Sequence, residues 1–477
     1  MRFNHRFNRV IRVILCEFMV ILGLTFSGCL HNTDLNPKPL NTFPANFVSG
    51  NQMEMSDDKW WVAFKDETLN KIMDQALTGN QQLLSTWSRL KQAEAMMGQA
   101  KATWWPSINT SFAAGRAKQS RFFPETDVIN GSLQASYELD VWGKLSNQRQ
   151  AAAMNLAATR DSLESIAMTL AAEVTEAWFG WVAQQAQLTL LESQLETNKT
   201  YLELIDVRFS EGLAHASDVF NLRQQVEQSR AQLEEAQRLS KLQKNRLAVL
   251  LGKAPGQLRL RPGVALADLP PIPATGVPAD LVKNRPDVRS AQRSVMAADA
   301  RVGIALANRF PTLKITAHVG VSAASFTELF DQVIYSVLGN ITQPIFQGGA
   351  LKAEHTRTEA VLQEQIHIFS HLVLQAMAEV ENALSSQEHE TKRLKFLQKQ
   401  RDFAASALEE ARERYLIGLS EFLPVLTALG SLHRIEKSVV LSQKQVRSYR
   451  VQLCRALGGS WTKSLQKQQA LESDNPA

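Results

Sequence analysis

Cysteine is nearly missing from this chain. Only Cys16, Cys29 and Cys454 occur among 477 residues, too few for a disulfide framework. Charge of one sign is also lacking: 52 basic against 47 acidic residues gives a formal +5. Residues 1–28 carry Arg2, Arg6, Arg9, Arg12 and Glu17, so most of that excess lies in the first thirty positions, and no basic cluster suggests a nucleic-acid surface. The nine histidines are scattered without metal-ligand spacing. No nucleotide loop, nucleophile elbow or pair of working carboxylates stands out, which speaks against an enzyme and against a cofactor. Outside the N-terminus there is no run of 18 apolar residues, so any membrane crossing after processing has to be made with strands.

What is present begins with a leader. A basic segment, an apolar run from Phe18 to Phe26, and Ser27-Gly28-Cys29 follow in the order of a secretory signal. Two readings stand: an ordinary cleaved signal, or one that ends at Cys29. Residues 29–58, rich in Asn, Pro and Thr, read as an extended tether.

Between Ser132 and Val141 polar residues at even positions alternate with Leu133, Ala135, Tyr137, Leu139 and Val141. This is a strand with two different surroundings. After Trp142-Gly143 the alternation stops, and the chain runs to Arg208 without proline and with one glycine, Gly180. The period-3.6 spacing there predicts a helix of about 95 Å from Lys144 to Phe209. Leu188, Leu191, Leu195, Leu202, Ile205 and Phe209 fall on two heptad positions and mark a coiled-coil seam. Gly212-Leu213 ends that helix, and Ser217 or Asp218 is expected to cap the returning one. An earlier strand is predicted over Ser107 to Ala114, after a helical stretch from Asp66 to Thr103, with Asn130-Gly131 in the intervening loop.

The second half repeats the first at an offset of 205 or 206 residues: Pro106 and Pro311, Gly143 and Gly348, Gly212-Leu213 and Gly418-Leu419, Leu251-Gly252 and Leu457-Gly458. Leu313 to Val321 alternates again, and its partner run ends at Gln343-Pro344-Ile345-Phe346. The predicted divisions are a signal over 1–28, a tether over 29–58, a first repeat over 59–252, a Pro-rich linker over 253–279, a second repeat over 280–460 and a polar tail over 461–477. Four membrane-length strands cannot close a barrel, since about eight is the smallest known, so the chain has to oligomerise.

Ser136-Tyr137-Glu138-Leu139-Asp140-Val141-Trp142-Gly143-Lys144, the two Arg-Phe/Tyr-x-x-Gly-Leu tips, Asn284-Arg285-Pro286-Asp287-Val288 and Gln343 to Gly349 together resemble the outer-membrane efflux protein family, the TolC-like proteins, in its lipoprotein (NodT-like) branch. The resemblance implies a mixed α+β fold: a homotrimer with a twelve-stranded outer-membrane barrel over an α-helical periplasmic tunnel. It implies an exit duct for small molecules, working with a periplasmic adaptor (membrane fusion) protein and an inner-membrane pump, commonly of the resistance-nodulation-division type. It also implies lipidation at Cys29, with Leu30 directing the protein to outer-membrane lipid. By the same resemblance Arg208, Gly212, Leu213, Arg414, Gly418 and Leu419 form adaptor-docking and gating tips, and Trp142, Gly143, Pro344, Phe346 and Gly348 are strand-to-helix junctions. The family's acidic aperture positions are Pro424 and Thr427 here; Glu421, one turn earlier, is either a ring of charge or an exposed tip residue. A duct for secreted protein and a periplasmic coiled-coil adaptor are the alternative functions.

Overall fold

The period-2 and period-3.6 tracts become strands and helices in the computed structural model, which describes residues 47, 59–118, 125–261, 263, 266–273, 278–463 and 465. The leader, Cys29, most of the tether, Arg121 to Pro124 and nearly all of the tail lie outside the described residues. Helices α1 (Glu67–Gly79) and α2 (Gln81–Ala102) lead to strands β1 (Ser107–Ala117) and β2 (Thr126–Leu139). Helices α3 (Lys144–Ser210) and α4 (Ala216–Leu250) form a first hairpin. The second repeat follows as α5 (Leu281–Asn284), α6 (Pro286–Ala307), β3 (Thr312–Ala323), β4 (Val333–Thr342), α7 (Ala350–Leu416) and α8 (Leu423–Leu457). The duplication is visible in the lengths: α3 and α7 both have 67 residues, α4 and α8 both have 35.

These elements sort into two interleaved units, to which α3 and α7 both contribute. The first unit holds Lys91–Thr159 and Ala291–Phe369, including one antiparallel sheet in the order β1-β2-β3-β4. Strands β2 and β3 pair directly, Leu133 opposite Val319, so the two repeats meet in the middle of the sheet. In the same unit Arg301 donates to Asn155 at 3.1 Å, tying α6 to α3.

The second unit holds both helical hairpins and the chain leading into them. Its core includes Leu163, Ala167, Val174, Trp178 and Phe179 of α3 and Val439, Val446 and Val451 of α8, all nearly inaccessible. Asp66 caps α1 by accepting from Thr68 and Leu69, while its second oxygen accepts from Trp178 Nε1 at 2.7 Å. The tract 266–273 is held by α8: Arg447 donates to the Ala267 carbonyl at 2.7 Å and Arg450 to the carbonyls of Pro270 and Pro271.

Four local expectations are corrected. The helix expected from Asp66 to Thr103 is two helices, because Asn80 leaves the first and caps the second through Leu83 N at 3.0 Å. Asn130-Gly131 lies inside β2 rather than in a loop: the residues pair with Ala113 and Phe112 on one side and with Ser322 and Val321 on the other, and ladder bonds outweigh turn propensity. Strand β2 ends at Leu139, two residues before Val141, because Asp140 turns its carboxylate onto the next helix. The N-cap of α4 is His215; Asp218 stands at N3 and accepts from the His215 amide, completing a capping box.

Candidate functional site

The sheet separates two chemistries. Residues paired across strands share a face, so register assigns every side chain. One face presents Ile108 and Phe112 on β1, Leu133 and Tyr137 on β2, Ile315 and Val319 on β3, and Tyr335, Val337 and Ile341 on β4. Many of these are open to the surroundings, Tyr335 at 79% and Val337 at 71%. The other face presents Asn109, Ser111, Ser132, Gln134, Ser136, Glu138, Lys314, Thr316, His318, Ser336 and Asn340, with Ala113, Val128, Ile334 and Leu338 as apolar exceptions. Ser111 and Ser132 hydroxyls meet at 2.8 Å on it. Exposed apolar side chains on one face and hydroxyls, amides and a few charges on the other are what a wall between lipid and water requires. Among the described residues strand β1 pairs only with β2 and β4 only with β3, so both edges of the sheet are open there.

The junctions below the strands are built from sequence-local caps. Asp140 accepts from Leu145 N and Ser146 N, each at 2.8 Å, closing the N-terminus of α3, and Gly143 takes the required positive φ of 73°. Trp142 donates to the Pro311 carbonyl at 2.7 Å and stacks on Phe310 at 5.0 Å, joining the ends of the two repeats. Glu138 holds Lys144 at 2.8 Å and Lys314 at 3.6 Å. The second junction is looser: Gly348 and Gly349 have φ of 58° and 86°, while Ile345 and Phe346 after Pro344 are almost fully exposed.

Both hairpin tips are Schellman turns with the same atoms in the same roles. Leu213 N donates to the Arg208 carbonyl and Leu419 N to that of Arg414, each at 2.8 Å. Gly212 and Gly418 share a φ of 77°, and nothing lies within 4 Å of where their Cβ would be. Leu213 and Leu419 are left exposed at 61% and 67%. The tips also pack on each other. Ile205, Val219 and Leu222 of the first hairpin share a cluster with Tyr415, Phe422 and Val425 of the second. The Arg208 guanidinium lies 4.6 Å from the Tyr415 ring centroid, and burial pushes the Tyr415 hydroxyl above its ordinary pKa. Arg414, by contrast, is exposed. Glu421 is exposed beside the turn, and Pro424 and Thr427 lie in the first turns of α8.

The predicted seam holds in part: Leu191 and Ile205 are inaccessible, Leu188, Leu195 and Leu202 are half-buried, and Phe209 is exposed at 47%. Between them Gln187, Gln194 and Asn198 are inaccessible too. The polar members are matched: Gln194 donates to Glu436 at 2.8 Å and Asn198 to Ser229 at 2.8 Å. A hydrophobicity pattern cannot find such positions, because their burial depends on partners 31 to 242 residues away. Also unread in the sequence are Arg285, bound to Asp287, Glu379 and the Ala456 carbonyl, and Arg289, bound to Asp161 and Glu164. The motif holding Arg285 and Asp287 was visible; Glu379 and both partners of Arg289 were not. Among the described residues no group of three or more metal-ligating side chains gathers, and no helix is long and apolar enough to cross a membrane.

A two-faced sheet with open edges, joined through shared helices to paired coiled-coil hairpins, defines a membrane-channel subunit. Comparison names its kind. The chain matches the outer membrane efflux protein family twice, over residues 72–253 and 277–459, and it belongs to that family. It is 28% identical over 448 residues to the pyoverdine export outer membrane protein OpmQ of Pseudomonas aeruginosa, covering 89% of this chain and 93% of that protein. It is 29% identical over 413 residues to the toluene efflux pump outer membrane protein TtgI of Pseudomonas putida, covering 84% of this chain and 87% of that protein. The solved outer-membrane channel OprN superposes with a TM-score of 0.84 at 25% identity, over 90% of this chain and all of the other.

Proposed function

We propose that the protein is the passive exit duct of a tripartite efflux system. Three copies each supply one four-stranded sheet and close a twelve-stranded barrel in the outer membrane, and their hairpins wall the periplasmic part of the duct. Lipid on Cys29 anchors the chain to the outer membrane. The tips at Arg208, Gly212, Leu213, Arg414, Gly418 and Leu419 dock a periplasmic adaptor, which passes cargo from an inner-membrane pump of the resistance-nodulation-division type. The cargo is small organic molecules, the class for which the relatives OpmQ and TtgI are named.

One observation carries this reading: the sheet has a lipid-like and a water-like face but, among the described residues, two unpaired edges. Unpaired backbone in hydrocarbon costs several kcal/mol per group, so the edges have to be closed by further strands. Identical copies supply them through a head-to-tail contact that closes by rotation. Docking is supported by the exposed leucines on glycine-capped turns, which keep their shape without a neighbour.

Deleting the gene should make cells hypersensitive to dyes, detergents and antibiotics, and the intact gene should restore tolerance. Changing Leu213 and Leu419 together to Asp should leave the amount in the outer membrane unchanged and remove that tolerance. Retained tolerance in the Asp variant would overturn tip docking. Tolerance unaffected by the deletion, with loss of a secreted protein instead, would overturn the small-molecule reading.

A further inference from the structure

Repeat symmetry makes one contact between hairpins visible and implies another. Inside the chain α3 packs along α8: Gln194 reaches Glu436 and the His433 carbonyl, and Tyr201 meets Phe422 at 6.3 Å. At the tips Tyr415 and Phe422 sit against Tyr201, Ile205 and Leu222 of the first hairpin. In a closed ring each hairpin has two flanks. The second hairpin therefore offers its outer flank, that of α7, to the α4 flank of the next copy, and this contact is the repeat-equivalent of the one seen.

The sequence differs at that equivalent place in one consistent way. Tyr201, Ile205 and Leu222 correspond to Ala407, Ala411 and Ala428. The result is a groove of about 520 Å³ between α7 and α8, lined by Ala404, Ala407, Ala411, Pro424, Thr427 and Ala428 among others. Opposite to it in the pseudo-symmetry stand the counterparts of Tyr415 and Leu426, namely Phe209 and Phe220. These two aromatics are exposed at 47% and 66% in the single chain. A row of alanines that leaves holes, and two unburied rings at the repeat-equivalent positions, are the two halves of knobs-into-holes packing.

Resting on the trimeric reading above, we infer that the alanine-lined groove of the second hairpin receives Phe209 and Phe220 from the first hairpin of a second copy of this chain. Arg414 then lies over Phe209 of that copy, as Arg208 lies over Tyr415 within the chain.

Disulfide trapping tests the contact in the full chain in outer membranes. Phe209→Cys combined with Ala411→Cys should give a thiol-reversible ladder of two and three copies on mild oxidation, and neither single variant should. Cys454 leaves the background silent, since it is buried and burial pushes its thiol up to about 12. The same membranes treated with an amine-reactive crosslinker report the ring independently. A crosslinked trimer without the disulfide ladder overturns the groove assignment and leaves the duct standing. Absence of both in a chain that reaches the membrane overturns the trimer and the groove together. If the first pair does not assemble, Phe220→Cys with Ala407→Cys reads the same groove one turn away and decides by the same outcomes.

Discussion

Gly458 adopts φ 86° with ψ −148°, a conformation open only to glycine, and a Cβ there would lie 2.5 Å from the Asn284 carbonyl oxygen. Its repeat partner Gly252 has φ 69° and would bring a Cβ to 2.1 Å from the Gly79 carbonyl. The side chains beside these contacts are also paired by the repeat: Asn80 donates to the Leu250 carbonyl at 2.9 Å, Arg285 to that of Ala456 at 3.2 Å. Gly212 and Gly418 need positive φ too but have open space around them. Gly458→Ala and Gly252→Ala should therefore lower the thermal midpoint well beyond the effect of Gly212→Ala or Gly418→Ala, which carry only the backbone cost of about 1 kcal/mol. Arg285→Asn, which copies the first repeat, strands Asp287 and Glu379 and should cost about 3 kcal/mol in denaturant unfolding. His433 is neutral in the folded protein, burial having pushed its pKa down from 6.5 to about 4. Between those values the unfolded chain binds the extra proton, so stability falls as pH drops through the window, and His433→Gln should flatten that fall in melts taken from pH 7 to 4.

At the level of elements, the strands were legible because lipid on one side and water on the other impose period 2 on each of them. Leu313 to Val321 reads correctly from the sequence for this reason. Strand ends did not read so well. Asn130-Gly131 has the chemistry of a turn, yet Gly131 lies between Phe112 and Val321, where its missing side chain makes room for both. The two faces make a direct prediction. Val319→Lys puts a charge on the apolar face at a cost of about 2–4 kcal/mol and should reduce the heat-modifiable assembled form in the outer membrane, whereas Thr316→Lys on the polar face should assemble normally. The helix caps divide similarly. The Gly212 and Gly418 turns are set by residues within one turn of the chain, so they were visible, while the His215 cap was hidden by the better-looking Ser217 and Asp218.

For the whole molecule the test is electrical. Purified protein in a planar bilayer should conduct, and because Glu421 stands exposed next to the second tip, Glu421→Gln should weaken cation preference if three such carboxylates ring an aperture. Unchanged preference would make Glu421 a plain surface residue. Cys29→Ser should keep conduction in detergent-purified material while lowering the amount retained in the outer membrane, which separates the anchor from the pore.

The sequence by itself determined the duplication, the alternating strands, the long helices and their glycine turns, because each is a matter of spacing along a single stretch of chain. Only the tertiary structure decided that β2 pairs with β3, that Gln194 and Asn198 are interior, and that Arg285 and Arg289 bind carboxylates on other helices. Those facts depend on which distant segments come together, and no local periodicity carries that information.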